Sequence, residues 1–404
     1  MCITRSATSA PYGSSGDPHY LFDRDGFGQN IDELLEAFLP RYGNFALAYS
    51  FKTNYLKDAC DAIRDRCCFA EVVSPQEYSY ASALGFPESR IVYNGVIPDD
   101  GKLAVLAVGG MVNIDSLAEY ERLAWMAQQL STHISIGIRV NLDVPWATSR
   151  FGIPPEGGDF AAIMERISQN SFVSLGGFHS HVHGGRDVRC WVERAEALID
   201  LAKRYGARYI DLGGGMWGKM PEGLKAQFKS RPNTYQEYGE AVGGLFAKAF
   251  PDESVKLIVE PGIGLVGSAM ECVSHVVGIK EIRGKQYVQL DINGAATAFD
   301  YNCDANRIRK PFRIIRTGTG QPVGLLNADL VGTTCTEIDV LVRDYCGVLA
   351  VGDTIVFENI GAYSLVTSRQ FITPRLGVYD SRTKECLREP ECFGDMFGKY
   401  LQQT

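Results

Sequence analysis

The segment Phe45-Ala46-Leu47-Ala48-Tyr49-Ser50-Phe51-Lys52-Thr53-Asn54 begins as an apolar run and ends in a lysine. The run predicts a buried strand, and a lysine directly after a buried strand is costly to remove from water. Such a lysine usually reaches solvent, lies in a wet pocket, or has a lowered pKa and a chemical task. Taken alone, the segment favours a lysine that reaches solvent. The rest of the chain changes that preference for Lys52.

Seven further apolar runs alternate with amphipathic segments along the chain. The eight strand candidates are 45–50, 68–73, 90–93, 106–108, 134–140, 172–178, 209–212 and 257–259. Helical spacing of apolar residues marks intervening segments such as 116–130 and 190–205. Strands that alternate with helices predict a (β/α)8 barrel of the TIM type. A doubly wound Rossmann fold is the alternative, but Gly213-Gly214-Gly215 is not a GxGxxG motif and comes too late for a first βα turn.

The pattern changes after about residue 268, where short runs rich in β-branched residues are separated by Gly and Asp. These runs, 272–280, 287–291, 354–357 and 369–372, predict a second, mostly antiparallel β domain. The early run 18–22 is expected to join it as a strand. We therefore expect three regions: an N-terminal tail and strand (1–22), the barrel (23–268) and the β domain (269–404). The tail has no hydrophobic segment typical of a signal peptide.

Composition excludes several classes of protein. The net charge of −8 over 404 residues is spread without basic blocks, which argues against a nucleic-acid-binding protein. No run of eighteen apolar residues predicts a membrane span. The eleven cysteines are scattered and form no CxxC pair, so a reduced, cytoplasmic protein without a structural zinc site is expected.

In a barrel of this type, chemistry takes place at the carboxyl ends of the strands. The residues at those ends include a lysine, acids, an arginine, histidines and glycines, which are types that a charged cofactor needs: Lys52, Glu71, Arg139, His179, His181, His183, Gly213, Gly214, Gly215 and Glu260. The three histidines at alternate positions could instead bind zinc. No cysteine or carboxylate partner for a metal is apparent, so we expect no metal site.

In their order along the chain, these motifs resemble the fold-type III pyridoxal 5'-phosphate (PLP) decarboxylases, the family of diaminopimelate, ornithine and arginine decarboxylases. The resemblance runs from about Pro18 to about Pro374 and includes three further motifs: Glu260-Pro261-Gly262, Gly332-Thr333-Thr334-Cys335-Thr336-Glu337-Ile338-Asp339 and Gly361-Ala362-Tyr363. It implies a PLP-binding barrel, a second β domain and a homodimer whose active sites are shared between subunits.

The resemblance also implies a role for each matched residue. Lys52 matches the lysine that condenses with the cofactor aldehyde, and Glu260 matches the carboxylate that keeps the pyridine nitrogen protonated. The other cofactor positions are His181 stacked on the ring, the phosphate-binding turn Gly213, Gly214 and Gly215, and Gly262, Tyr363, Glu71 and Arg139 around the cofactor. Cys335 matches a proton donor from the neighbouring subunit, and Thr336 and Asp339 match substrate-binding positions.

Four departures from the family pattern concern the phosphate and the substrate. Ile263 replaces an arginine and Gly184 replaces a serine, so two phosphate contacts are missing, although His183 could supply a donor. Thr336 replaces an acid that holds a distal amine, and no Arg-Pro-x-Leu-Tyr motif occurs near 302–312. These departures predict a decarboxylase of an amino acid or an amino-acid conjugate in a specialised pathway, and not of a simple basic diamino acid.

Two alternatives remain open. One is a PLP-dependent racemase or epimerase, which Glu260 and Cys335 disfavour because a protonated pyridine ring favours decarboxylation. The other is a non-catalytic partner that regulates a true decarboxylase. The missing phosphate contacts favour it, and the motif residues that are retained argue against it: Lys52, His181, Glu260, Cys335 and Tyr363.

Overall fold

The computed structural model describes residues 16–146, 148–297 and 310–401. Within these ranges the chain forms two compact units, one over Asp25–Ser268 and one built from 16–24, 269–297 and 310–401. The expected N-terminal tail and most of the 302–312 segment lie outside the described residues. None of the described helices has the length and apolar character that crossing a bilayer requires.

The first unit contains a closed barrel of parallel strands. The chain enters through strand β1 (His19–Phe22), which belongs to the other unit, and helix α1 (Arg24–Phe38). Eight strands then pair in sequence, and the last pairs with the first: β2 (Phe45–Ser50), β3 (Phe69–Val72), β4 (Ile91–Tyr93), β5 (Met111–Ile114), β6 (Ile134–Arg139), β7 (Val173–His179), β8 (Tyr209–Asp211) and β9 (Lys256–Val259). The barrel predicted from the alternating runs is confirmed, and the Rossmann alternative is wrong.

Helices follow most of the barrel strands: α2 (Lys57–Asp65), α3 (Pro75–Ala83), α4 (Gly101–Ala107), α5 (Leu117–Gln129), α6 (Gly158–Gln169), α7 (Val188–Tyr205), α8 (Glu222–Lys225), α9 (Tyr235–Tyr238), α10 (Gly244–Ala249) and α11 (Ile263–Val266). Several of these helices begin with a side-chain cap. Ser74 and Ser116 accept hydrogen bonds from the backbone N–H groups of Glu77 and Glu119, which satisfies donors that a helix start leaves free.

Tyr209 fills part of the barrel interior because glycines make room for its ring. A Cβ atom on Gly177 or Gly137 would overlap the Tyr209 side chain, so these positions of β7 and β6 admit no larger residue. The Tyr209 hydroxyl donates to Asn113 Oδ1 at 2.7 Å. This bond fixes the orientation of the Asn113 amide, which is the first of a series of hydrogen-bonded side chains in the candidate site.

The second unit is a nine-stranded sheet in which, among the described residues, six of eight strand pairings are antiparallel. Its later strands are β10 (Met270–Ile282), β11 (Lys285–Leu290), β12 (Phe312–Ile315), β13 (Val323–Val331), β14 (Val340–Leu349), β15 (Thr354–Phe357), β16 (Val378–Asp380) and β17 (Cys386–Arg388). Strand β1 lies between β10 and β16. The described residues of this unit also form helices α12 (Ser364–Thr367) and α13 (Phe393–Leu401). The expectation of a mostly antiparallel β domain is confirmed.

Two strand predictions are wrong. Residues 106–108 end helix α4, in which Leu103 and Leu106 are buried at helical spacing, and Gly109 with φ +83° follows that helix before β5 begins at Met111. Residues 369–372 form no strand, and Ile372 has φ +55°, which an extended ladder cannot accommodate.

Candidate active site

Each of the eight barrel strands carries a polar side chain at or just beyond its carboxyl end. In strand order these are Lys52, Glu71, Asn94, Asn113, Arg139, His179, Asp211 and Glu260. All but Lys52 are buried. Parallel strands bring these groups to one rim of the barrel, and buried polar groups must then satisfy one another or a ligand.

Lys52 forms an ion pair with Glu71. Its Nζ lies 2.5 Å from Glu71 Oε2, and the same oxygen accepts a hydrogen bond from the Ser50 hydroxyl at 2.6 Å. Ser50 and Glu71 are paired residues of β2 and β3, so the strand register sets this geometry. Lys52 itself lies in a short 3-10 turn after β2, with its side chain 35% exposed. The amine is therefore held at the rim and remains accessible from the barrel mouth.

Glu260 is held by a chain of amides. Asn94 Nδ2 donates to Glu260 Oε1 and, at 3.3 Å, to Glu71 Oε1. Asn113 Nδ2 donates to Asn94 Oδ1 at 2.8 Å, and Tyr209 orients Asn113 from inside the barrel. One amide thus contacts both acids, which fixes their positions relative to the lysine.

A second carboxyl, that of Asp211, lies beside Glu260. Burial and the neighbouring Glu260 raise the pKa of Asp211 well above its usual value. Two adjacent buried carboxyls cannot both ionise at low cost, so one keeps a proton. Asp211 Oδ1 accepts the Gly213 N–H at 2.8 Å, and Oδ2 has no N–H donor. We therefore assign the proton to Asp211, while the pKa of Glu260 is lowered by His179, Asp211 and Lys52 against the opposing effect of burial.

His179 is buried, and neither ring nitrogen makes a hydrogen bond. Its Nε2 lies 3.5 Å from Glu260 Oε2, and burial lowers the pKa of the imidazole. The ligand atoms of His179, Asp211 and Glu260 lie within 4.8 Å of one another, a spacing that a metal ion could use. The expectation of no metal site stays a prediction.

His181 lies beside the glycine turn after β8. The Gly214 N–H donates to His181 Nδ1 at 2.9 Å, so the neutral ring carries its proton on Nε2. Burial and the nearby Lys52 charge lower the pKa of His181 well below its usual value. Gly213 and Gly215 have φ +63° and +88°, and a Cβ atom on Gly213 would lie 2.7 Å from His181 Cβ. The turn therefore requires glycine, and its backbone can approach an anion closely.

Arg139 ends strand β6 with its guanidinium 3.7 Å from Asp115 Oδ1 and stacked on the Phe151 ring. Burial lowers the pKa of Arg139, and the acids around it oppose that change. Gly262 lies against the lysine turn, where a Cβ atom would overlap the Thr53 side chain. Both residues thus shape the rim on which Lys52 and Glu260 stand. His183 is exposed.

Four residues predicted for the site belong to the second unit. Cys335 and Thr336 lie exposed on one loop, and Asp339 closes that loop by accepting from Thr334 N at 2.8 Å, Thr334 Oγ1 at 2.6 Å and Gly294 N at 2.6 Å. The Asp339 carboxylate therefore has a structural task in the loop. Tyr363 has φ +64°, a backbone conformation that is rare for an aromatic residue. Residues with such strained backbone conformations occur most often at functional sites.

The barrel residues fit the cofactor expected from the sequence. The Lys52 amine is accessible, and the buried Glu260 carboxylate has a lowered pKa. The glycine turn has no room for a Cβ atom on Gly213. The two buried ring nitrogens of His179 make no hydrogen bond. Sequence reasoning missed Ser50, Asn94, Asn113 and Asp211. Asn94 directly follows β4 and Asp211 ends β8, so the strand-end rule could have found both.

Comparisons with known proteins show the family and the fold of the chain. Residues 29–267 match the pyridoxal-binding domain of the pyridoxal-dependent decarboxylases. A diaminopimelate decarboxylase of Archaeoglobus fulgidus is 26% identical over 95% of this chain and 93% of its own length. One of Aquifex aeolicus is 25% identical over 88% of this chain and 84% of its own. The crystal structure of the Helicobacter pylori enzyme complexed with L-lysine has a TM-score of 0.79 at 23% identity, covering 96% of this chain and 97% of that one.

Proposed function

Because the chain belongs to the pyridoxal-dependent decarboxylase family, we propose that it removes the α-carboxylate of an amino acid at the rim that carries Lys52. The observation that carries the proposal is the arrangement of Lys52, Glu71 and Glu260. An accessible amine is paired with one buried carboxylate, and the same asparagine binds both that carboxylate and a second one.

PLP, when bound, supplies the electron sink for decarboxylation. Lys52 supplies the amine that holds the cofactor aldehyde, and Glu71 orients that amine. Glu260 is the carboxylate that we assign to a protonated ring nitrogen, since Asp211 takes the proton that Glu260 would otherwise carry. Glycines 213 to 215 offer backbone N–H groups to the phosphate. His181, a neutral ring beside that turn, is assigned to the face of the cofactor.

We also propose a homodimer in which Cys335 of one subunit serves the active site of the other. Support comes from the exposed loop that carries Cys335, and from the ordering of that loop by the Asp339 carboxylate. An exposed, ordered thiol can donate a proton where another chain covers it.

The substrate expectation needs a correction. A simple basic diamino acid was disfavoured because Thr336 replaces an acid, but the relatives above are named diaminopimelate decarboxylases. The distal end of diaminopimelate carries both an ammonium and a carboxylate, so its net charge is zero and a single protein carboxylate is not required to neutralise it. We propose diaminopimelate, or an amino acid with a similar zwitterionic end, as the substrate.

The test begins with the absorbance spectrum of the purified protein with PLP, before and after borohydride. A band near ~420 nm that borohydride traps covalently in the wild type and not in Lys52→Ala would support the lysine assignment. Release of CO₂ is then measured with diaminopimelate, lysine, ornithine and arginine, and diaminopimelate should react fastest. Inversion of the α-carbon without CO₂ would indicate a racemase. Absence of the band would indicate a non-catalytic partner.

A further inference from the structure

Arg194 is a buried cation whose Nε and Nη2 make no hydrogen bond. It lies on helix α7, is 3% exposed, and its guanidinium carbon is 4.5 Å from the centre of the Trp191 ring. Burial lowers the pKa of Arg194 to about 10, so the group stays charged at neutral pH. Asp211 and Glu260 raise the pKa of Arg194 through their charges, but its Nε and Nη2 donors have no acceptor. A buried donor without an acceptor is costly.

Arg194 lies on α7, the helix that follows the Gly184-Gly185 segment, and this segment lies against the glycine turn. Cys190 lies one helical turn earlier on the same face, and a Cβ atom on Gly185 would lie 3.3 Å from Cys190 Cβ. A Cβ atom on Gly215 would in turn lie 3.7 Å from the Gly184 carbonyl oxygen. Helical side chains lean toward the helix N-terminus, which directs Arg194 back toward this segment. Its charge also acts on the rim groups His181, Asp211 and Glu260.

A second donor without a partner lies at the same segment. The Trp146 indole Nε1 is buried and makes no hydrogen bond, and a Cβ atom on Gly185 would overlap it. Gly185 follows Gly184, the residue that replaces the serine of the family pattern. An indole N–H is a donor only and seeks an acceptor when it is buried.

We propose that Arg194 and Trp146 bind the phosphate of the cofactor, in place of the arginine and serine that Ile263 and Gly184 replace. The inference rests on the proposed function, because it assigns the anion to the cofactor. The phosphate dianion compensates the buried guanidinium and accepts the indole N–H. The two lost contacts are thus supplied from helix α7 and from the loop that carries Trp146.

The experiment compares binding of PLP and of pyridoxal, which has the same ring and aldehyde but no phosphate, to cofactor-free protein. Arg194→Met should weaken PLP binding by roughly tenfold to a hundredfold, the effect of one charge-assisted hydrogen bond, and leave pyridoxal binding within about twofold. Trp146→Phe should weaken PLP binding by roughly threefold to tenfold, as for a neutral hydrogen bond. Arg189→Met, an exposed arginine on the same helix, is the matched control and should change neither affinity.

Thermal unfolding separates a phosphate site from a structural role. Without cofactor, Arg194→Met should keep or raise the melting temperature, because it removes buried donors that have no acceptor. Equal loss of PLP and pyridoxal binding together with a lower melting temperature would overturn the proposal. Inorganic phosphate gives an independent probe: it should stabilise the cofactor-free wild type and not Arg194→Met. If wild type binds phosphate but forms no band with PLP, the proposed function fails and the anion site stands.

Discussion

Lys52 Nζ lies 2.5 Å from Glu71 Oε2, and the two residues come from neighbouring strands whose register pairs Ser50 with Glu71. The register of the two strands therefore brings the amine to its carboxylate. A nucleophile positioned in this way loses little entropy on reaching its reactive geometry.

Replacing Glu71 tests this relationship. Glu71→Gln keeps the shape of the side chain and removes its charge, so we expect kcat for CO₂ release to fall by roughly tenfold to a hundredfold, the effect of one charged hydrogen bond. The amount of PLP that borohydride fixes covalently to Lys52 should fall with kcat, and it is the second measurement. The exposed Glu36→Gln is the control and should match the wild type. An unchanged kcat in Glu71→Gln would show that the ion pair has no part in the reaction.

The proton on Asp211 gives a stability prediction with a definite sign. Since the pKa of this carboxyl is raised in the folded protein, its contribution to stability is greatest below the unfolded value near 4 and is lost as pH rises toward the folded pKa. Asp211→Asn cannot ionise and keeps an acceptor for the Gly213 N–H. The mutant should gain stability relative to the wild type as pH rises, by up to about 1.4 kcal/mol per pH unit.

Urea unfolding at pH 4, 6 and 8 measures that difference for Asp211→Asn. The exposed Asp143→Asn serves as control and should show no such trend. A difference that stays constant with pH would mean that Asp211 is ionised and that the proton resides elsewhere in the cluster.

Mixed dimers test whether two chains share one active site. Lys52→Ala and Cys335→Ala are each expected to be inactive alone. Co-expressed with random assembly, half of the dimers contain one chain of each kind, and one of their two sites is intact, so about a quarter of the wild-type activity should return. CO₂ release from the co-purified protein is the measurement. Failure to recover activity would mean that Lys52 and Cys335 do not act across a subunit boundary.

The second unit contains a hydrogen-bonded histidine–aspartate pair whose contribution to stability depends on pH. His275 Nδ1 lies 2.8 Å from Asp291 Oδ2, and this bond raises the pKa of His275. Its stabilising effect is fully present below the unfolded pKa of about 6.5 and is lost as pH rises through the folded value. His275→Gln should therefore lower the melting temperature at pH 5.5 more than at pH 9. The exposed His133→Gln should show equal, small changes at both pH values.

The fold was accessible from the sequence because the apolar runs have the right lengths and order. The exception, 106–108, shows the limit of that signal: Leu103 and Leu106 are buried from a helix, and three apolar residues do not distinguish a helix end from a strand. At 369–372 the composition favours a strand, but the positive φ of Ile372 depends on tertiary context that composition does not encode.

Only part of the candidate site could be predicted from the sequence. Lys52 and Glu260 stand in recognisable motifs, whereas Asn94 is marked only by its position after β4. Asn113 lies in β5, a strand that was expected at 106–108 instead. Their function comes from pairing: Asn113 orients Asn94, and Asn94 contacts two acids from different strands. Arg194 was missed for another reason: its spacing from Trp191 and Leu198 puts it on the apolar face of α7, but an arginine is usually solvated.

Strand β1 lies between β10 and β16, although it is synthesised long before either of these strands. A nascent chain therefore carries an unpaired, apolar strand until residue 270 and its successors have left the ribosome. Closure of so distant a pair is slow relative to local folding, and such an exposed strand is a site for chaperone binding or misassembly. Yield on expression should accordingly depend on how β1 is protected during synthesis.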